Sequence, residues 1–103
     1  MEIKELQNQA GKIVDEIDTK LGVSHNNKNL MLHLIGEVGE ISRQIASPEL
    51  RNKEIDIENL NEEIADVFIL LSKLANNNNI DLEYAVNNKI IKLKQRHNLK
   101  WQS

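Results

Sequence analysis

The spacing of the apolar residues constrains this chain more than any other feature. Ile3, Leu6, Ala10, Ile13, Val14, Ile17 and Leu21 recur mostly at intervals of three and four, which lines one side of an α-helix. Later segments carry the same period, and none shows the strict alternation of a half-buried strand. The chain has 103 residues, one proline and 3% aromatic residues, which suits a helical bundle better than a sandwich or barrel. The expected fold is all-α: a four-helix bundle-like module, with residues 1–103 forming a single domain.

Local punctuation divides the chain. Gly22 stops a first helix over Ile3–Leu21. Residues 23–27 supply caps for a second helix from Asn27 or Lys28 to Ala46. Ser47-Pro48 is expected to end it, because the residue before a proline is driven out of the helical region. Residues 49–57 are polar and read as a loop or a short turn. A third helix is predicted from about Glu58 to Asn76, stopped by the asparagines at 76–79, and Asp81 caps a fourth that reaches about His97.

Two carboxylate pairs, Glu37 with Glu40 and Glu63 with Asp66, lie inside the apolar segments of the second and third helices. A spacing of three puts both members of a pair on one side of a helix. On a helical wheel Glu37 falls within the stripe of Leu30, Leu34, Val38, Ile41 and Ile45, with His33, Glu40 and Gln44 along one border. On the third helix Glu63 borders the stripe of Leu60, Ile64, Val67, Phe68, Leu71 and Leu74, beside Leu70, and Asp66 lies a step further out. Spacing alone is weak evidence, since Glu2 with Glu5 and Asp15 with Asp18 share it; those pairs are expected on the solvated face of the first helix. Location separates the central pairs from these controls. Burying an unpaired carboxylate costs several kcal/mol, and Arg43 is the one basic residue nearby in sequence. The four acids therefore call for paired cations or a divalent metal with oxygen ligands.

Charge is uneven along the chain. Between Glu37 and Asp66 nine acids face three bases, whereas after Glu83 there is no acid and Lys89, Lys92, Lys94, Arg96 and Lys100 follow. Lys89 and Arg96 fall on or beside the stripe of Leu82, Val86 and Leu93, with Lys92 on its flank. They read either as snorkelling chains at a core border or as cations for the phosphates of a metal-bound ligand. The net charge of −3 and the acidic bulk oppose steering toward nucleic acid. Without cysteine, disulfides, thiolate metal sites and cysteine nucleophiles are excluded. No apolar run approaches membrane-spanning length and no leader pattern appears, so a soluble cytoplasmic protein without a membrane partner is expected.

The segment Glu37-Val-Gly-Glu40 followed by Glu63-Ile-Ala-Asp66 resembles the Glu-x-x-Glu, Glu-x-x-Asp signature of the MazG-like, all-α nucleoside triphosphate pyrophosphohydrolases. Lys28-Asn29-Leu30 resembles that family's entry into its first motif helix, and residues 79–86 with Lys89 resemble its connection into the last helix. The resemblance covers about residues 28–97. It implies hydrolysis of (d)NTP to (d)NMP and pyrophosphate, with Mg2+, or Mn2+ in its place, held by Glu37, Glu40, Glu63 and Asp66. Glu37 or Glu40 would accept the attacking water's proton, and Lys89, Lys92 and Arg96 would bind phosphates. Asn29, His33 and Trp101 are candidates for base or sugar contacts, and a homodimer or homotetramer is implied. Two positions depart from the family: Leu93 stands where relatives often carry asparagine, and Gly36 where they often carry an acid. The alternative is a non-catalytic oligomerisation or nucleotide-binding module on the same scaffold. A di-iron or manganese carboxylate bundle needs Glu-x-x-His pairs, and the residues three before His25, His33 and His97 are Gly22, Leu30 and Lys94.

Overall fold

Three helices start by one device, an Asn or Asp carbonyl or carboxylate oxygen that accepts a backbone N–H from the first turn. Asn26 accepts from Asn29, Asp56 from Asn59 and Asp81 from Tyr84. The structure, a computed structural model, describes residues 2–100. It contains α1 (Ile3–Leu21), α2 (Asn27–Leu50), α3 (Ile57–Asn77) and α4 (Leu82–Arg96), with no strand among the described residues. The all-α, four-helix expectation holds. Gly22 closes α1 in the left-handed region at φ 69°, where only glycine is free of steric cost. Asn79 takes the same region after α3, and the Ile80 N–H returns to the Ala75 carbonyl at 2.9 Å.

One boundary differs from expectation. α2 does not stop at Ala46 but runs through Ser47 and Pro48 to Leu50. So near a helix end, proline forfeits one bond and interrupts no ladder beyond it. The final turn is closed by the Arg51 N–H on the Ser47 and Pro48 carbonyls and by the Lys53 N–H on the Pro48 carbonyl at 2.7 Å.

α3 packs against both α2 and α1, and α4 packs on α1. The face α1 turns inward is not its most apolar one. Gln7, Ala10, Gly11, Val14 and Asp18 are buried, while Ile13 and Ile17 remain 45% and 47% exposed. Gly11 explains part of this rotation: a Cβ there would stand 2.2 Å from Nδ2 of Asn76, so α1 approaches α3 where no side chain fits. Asp18, expected in solvent, is buried; Asp15 is exposed and ion-paired with Lys73. On α3, which packs on two helices, Leu70 beside Glu63 is buried and so are Ser72 and Ala75 on other sides, while Ile64 is half exposed.

Gln7 joins three elements. Its Nε2 donates to Oδ1 of Asn76 and to the Ile80 carbonyl, each at 2.8 Å, and its Oε1 accepts the Leu82 N–H at 2.8 Å. Leu82 opens α4, so its N–H has no partner within the helix. Gln7→Ala orphans these groups and is expected to cost about 1–3 kcal/mol. Urea unfolding should show the loss, and amide exchange at Leu82 should accelerate more than exchange in α2.

The single chain leaves much apolar surface uncovered. Leu32, Ile35 and Val38 on α2, and Tyr84, Val86 and Ile91 on α4, are half exposed or more. Its accessible surface is 7991 Å², where a compact chain of this mass shows about 5,900 Å². The radius of gyration, 16.6 Å, likewise exceeds the roughly 13 Å of a compact 100-residue domain. No helix among the described residues is long and apolar enough to cross a membrane.

Candidate metal centre

The packing of α2 on α3 brings Glu37 together with Glu63 and Asp66. One carboxylate oxygen from each lies within 4.8 Å of the others; Glu37 and Glu63 are half-buried and Asp66 is exposed. The acids converge because the inward face of α3 carries Leu70, about two turns beyond Glu63 and beside it on the wheel.

This arrangement is uncomfortable without a positive charge. The Glu63 carboxyl is held above the usual glutamate range, first by the hydrogen bond it shares with Glu37, then by burial and by the Glu37 charge. Oε2 of Glu63 is buried and has no hydrogen-bond partner among the described residues. With both groups ionised, nothing satisfies that oxygen; a shared proton or a cation does. The donor set is all oxygen, which suits Mg2+, Ca2+ or Mn2+ better than softer metals. The residues present therefore fit a hard divalent cation.

Glu40 does not join the three. It lies one turn beyond Glu37 and turns to the guanidinium of Arg43, an i,i+3 partner on the same helix. Lys89, Lys92 and Arg96 sit exposed on α4, which packs on α1 and forms no comparable face with α2 or α3. The Asn29 side chain donates to the Ser24 carbonyl at 2.8 Å and its N–H to Asn26, so it closes the α1–α2 loop. His33 stands beside the acids, with Nε2 3.4 Å from Oε1 of Glu37. Trp101 lies outside the described residues.

Two residues at the centre went unforeseen: Asp18 and His25. Both line a cavity of about 290 Å³ that also touches His33, Glu37 and Asp66, with Ile17 and Leu70 among its apolar walls. Asp18 carries no sequence signal for this role, since its spacing from Asp15 marks it as another polar-face acid. His25 sits in a loop whose capping residues draw the eye.

The model of the MazG nucleotide pyrophosphohydrolase domain matches residues 25–101. No curated protein and no solved structure matches the chain. The match spans most of the chain and includes both helices that carry the clustered acids. The chain therefore belongs to the MazG nucleotide pyrophosphohydrolase family.

Proposed function

We propose that this chain is a Mg2+-dependent nucleoside triphosphate pyrophosphohydrolase, a single domain that cleaves between the α- and β-phosphates to give the monophosphate and pyrophosphate. The observation that carries this reading is the convergence of Glu37, Glu63 and Asp66 around a buried, donorless Glu63 oxygen, in a chain of this family. These three residues would hold Mg2+, and Glu40 would complete the set by exchanging Arg43 for the cation. Bound there, Mg2+ supplies charge neutralisation for the triphosphate and lowers the pKa of a water. Glu37 or Glu40 would take the proton of the attacking water, and Lys89, Lys92 and Arg96 would stabilise charge growing on the departing pyrophosphate. Asn29, His33 and Trp101 would lie toward the base and sugar. Nucleotide-pool housekeeping in the cytoplasm is the corresponding role.

Self-assembly is part of the proposal. A homodimer or homotetramer would cover the exposed apolar residues of α2 and α4 and would bring the α4 cations to the acids of a second copy. Size-exclusion chromatography with light scattering is expected to give at least twice the 11.8 kDa of one chain. A strict monomer that still hydrolyses nucleotides would count against assembly.

The deciding experiment incubates the protein with a panel of canonical and modified nucleoside triphosphates, with Mg2+ present and omitted in parallel. Pyrophosphate should appear with Mg2+ alone. If no nucleotide yields pyrophosphate although the metal binds, a nucleotide-binding module remains and the enzyme reading fails.

A further inference from the structure

Outside the carboxylate cluster, one continuous line of polar contacts runs from the end of α1 to Glu37. It begins at Asp18, which is only 8% exposed. Asp18 holds His25 twice: Oδ2 accepts the His25 backbone N–H at 2.9 Å, and Oδ1 lies 2.8 Å from Nδ1 of the ring. A carboxylate only accepts, so Nδ1 of His25 carries the hydrogen of that contact. Nδ1 of His33 lies 3.0 Å from Nε2 of His25, within hydrogen-bond reach. The two rings stack with centroids 5.2 Å apart and planes inclined by 30°. Nε2 of His33 then faces Oε1 of Glu37, one helical turn along α2.

Each contact in this line limits the rotation of the next group. Asp18 holds His25 once by its backbone N–H and once by its ring, and His25 fixes the His33 ring through a bond and a stacking contact. His33 in turn presses on one side of the Glu37 carboxylate, whose other contact is Glu63. Alone, His33 would gain little hold on Glu37, because its side chain is 47% exposed and an exposed i,i+4 pair is weak. The buried anchor at Asp18 changes that.

The geometry points to Asp18, His25 and His33 as a positioning relay that orients Glu37 as a ligand for the divalent cation. This inference rests on the proposed metal site. Partners behind a ligand set its direction, and their loss commonly weakens metal affinity about 10–100-fold. None of the three belongs to the carboxylate cluster, and their effect on a cation held there would pass through Glu37.

The test uses the full chain and Mn2+ alone, titrated while the free-ion electron paramagnetic resonance signal is followed. His33→Ala is the leading variant because its exposed ring can be removed with little effect on folding, which circular dichroism and melting will verify. It is expected to weaken Mn2+ binding about 10–100-fold, and His33→Gln, which restores a donor one turn from Glu37, should recover most of the loss. His25→Ala should weaken binding in the wild-type background and add nothing on top of His33→Ala, because it acts through that ring. If wild type binds Mn2+ and His33→Ala binds equally well, or if the two histidine effects simply add, the relay is wrong and the metal site stands. If wild type binds no Mn2+, the metal reading falls and the relay with it.

Discussion

Glu63→Gln is expected to lower pyrophosphate release by about 10²–10³-fold or more, and at the same time to flatten the pH dependence of the metal-free protein. The first effect follows from the several kcal/mol of transition-state charge stabilisation that a bound cation supplies, at 1.36 kcal/mol per tenfold in rate. Glutamine keeps the shape of Glu63 but cannot ligate as an anion. The second effect follows from the sharing of a hydrogen bond with Glu37, which raises the Glu63 carboxyl above its usual range. A raised acid binds its proton more tightly in the folded state than in the unfolded chain. Its contribution to stability is present at low pH and is lost as pH rises from the ordinary glutamate value, about 4.3, through the raised one.

Melting curves of wild type and Glu63→Gln, compared from about pH 4 to 8 without metal, isolate this contribution. The wild type should lose ground to the variant as pH rises, and Mg2+ should restore the wild type alone. A variant that still gains from Mg2+, or a wild type that gains on the variant with rising pH, would remove Glu63 from the centre.

Leu30→Ala is expected to destabilise the fold by about 2–5 kcal/mol, a large share of the 5–15 kcal/mol typical of a domain. The reason is how little the core contains. Among the described residues Ala10, Val14, Leu30, Leu70 and Ala75 are the buried apolar ones, and Leu30, at 1% exposure, is the most buried large side chain. Deleting it leaves a cavity at the start of α2, where His33 and Glu37 follow on the next two turns. A drop of roughly 10 °C or more in melting temperature should result. Weaker Mn2+ binding should accompany it, because Glu37 loses its footing. A melting temperature within about 2 °C of wild type would show that Leu30 is not the keystone its burial implies.

Much of this fold was legible in the sequence. α1 occupies Ile3–Leu21 as its period predicts, α3 begins at Ile57, one residue before the expected Glu58, and α4 begins after its expected cap Asp81. These are local properties: a helix period, a capping oxygen and a glycine in the left-handed region act within a few residues of themselves. Pro48 is the instructive exception. Its effect depends on how near the helix end already is, and the contacts of Arg51 and Lys53 decide that.

The site was legible only in outline. Sequence by itself determined the helices and placed Glu37, Glu63 and Asp66 near a packing seam. Tertiary structure decided which acids meet. A helical wheel weighs apolar side chains, but burial depends on how closely two backbones approach. Gly11 lets α1 settle against Asn76, which turns Gln7 and Asp18 inward and leaves Ile13 and Ile17 outside. The same rotation supplies the buried anchor for His25, at a position that looks like solvent-facing acid. Glu40, equal to Glu37 in spacing, leaves the cluster because Arg43 lies within reach on its own helix. Helical spacing is set within one helix and can be read from one sequence. The rotation of one helix against another is set by every contact between them, and it took the folded chain to reveal it.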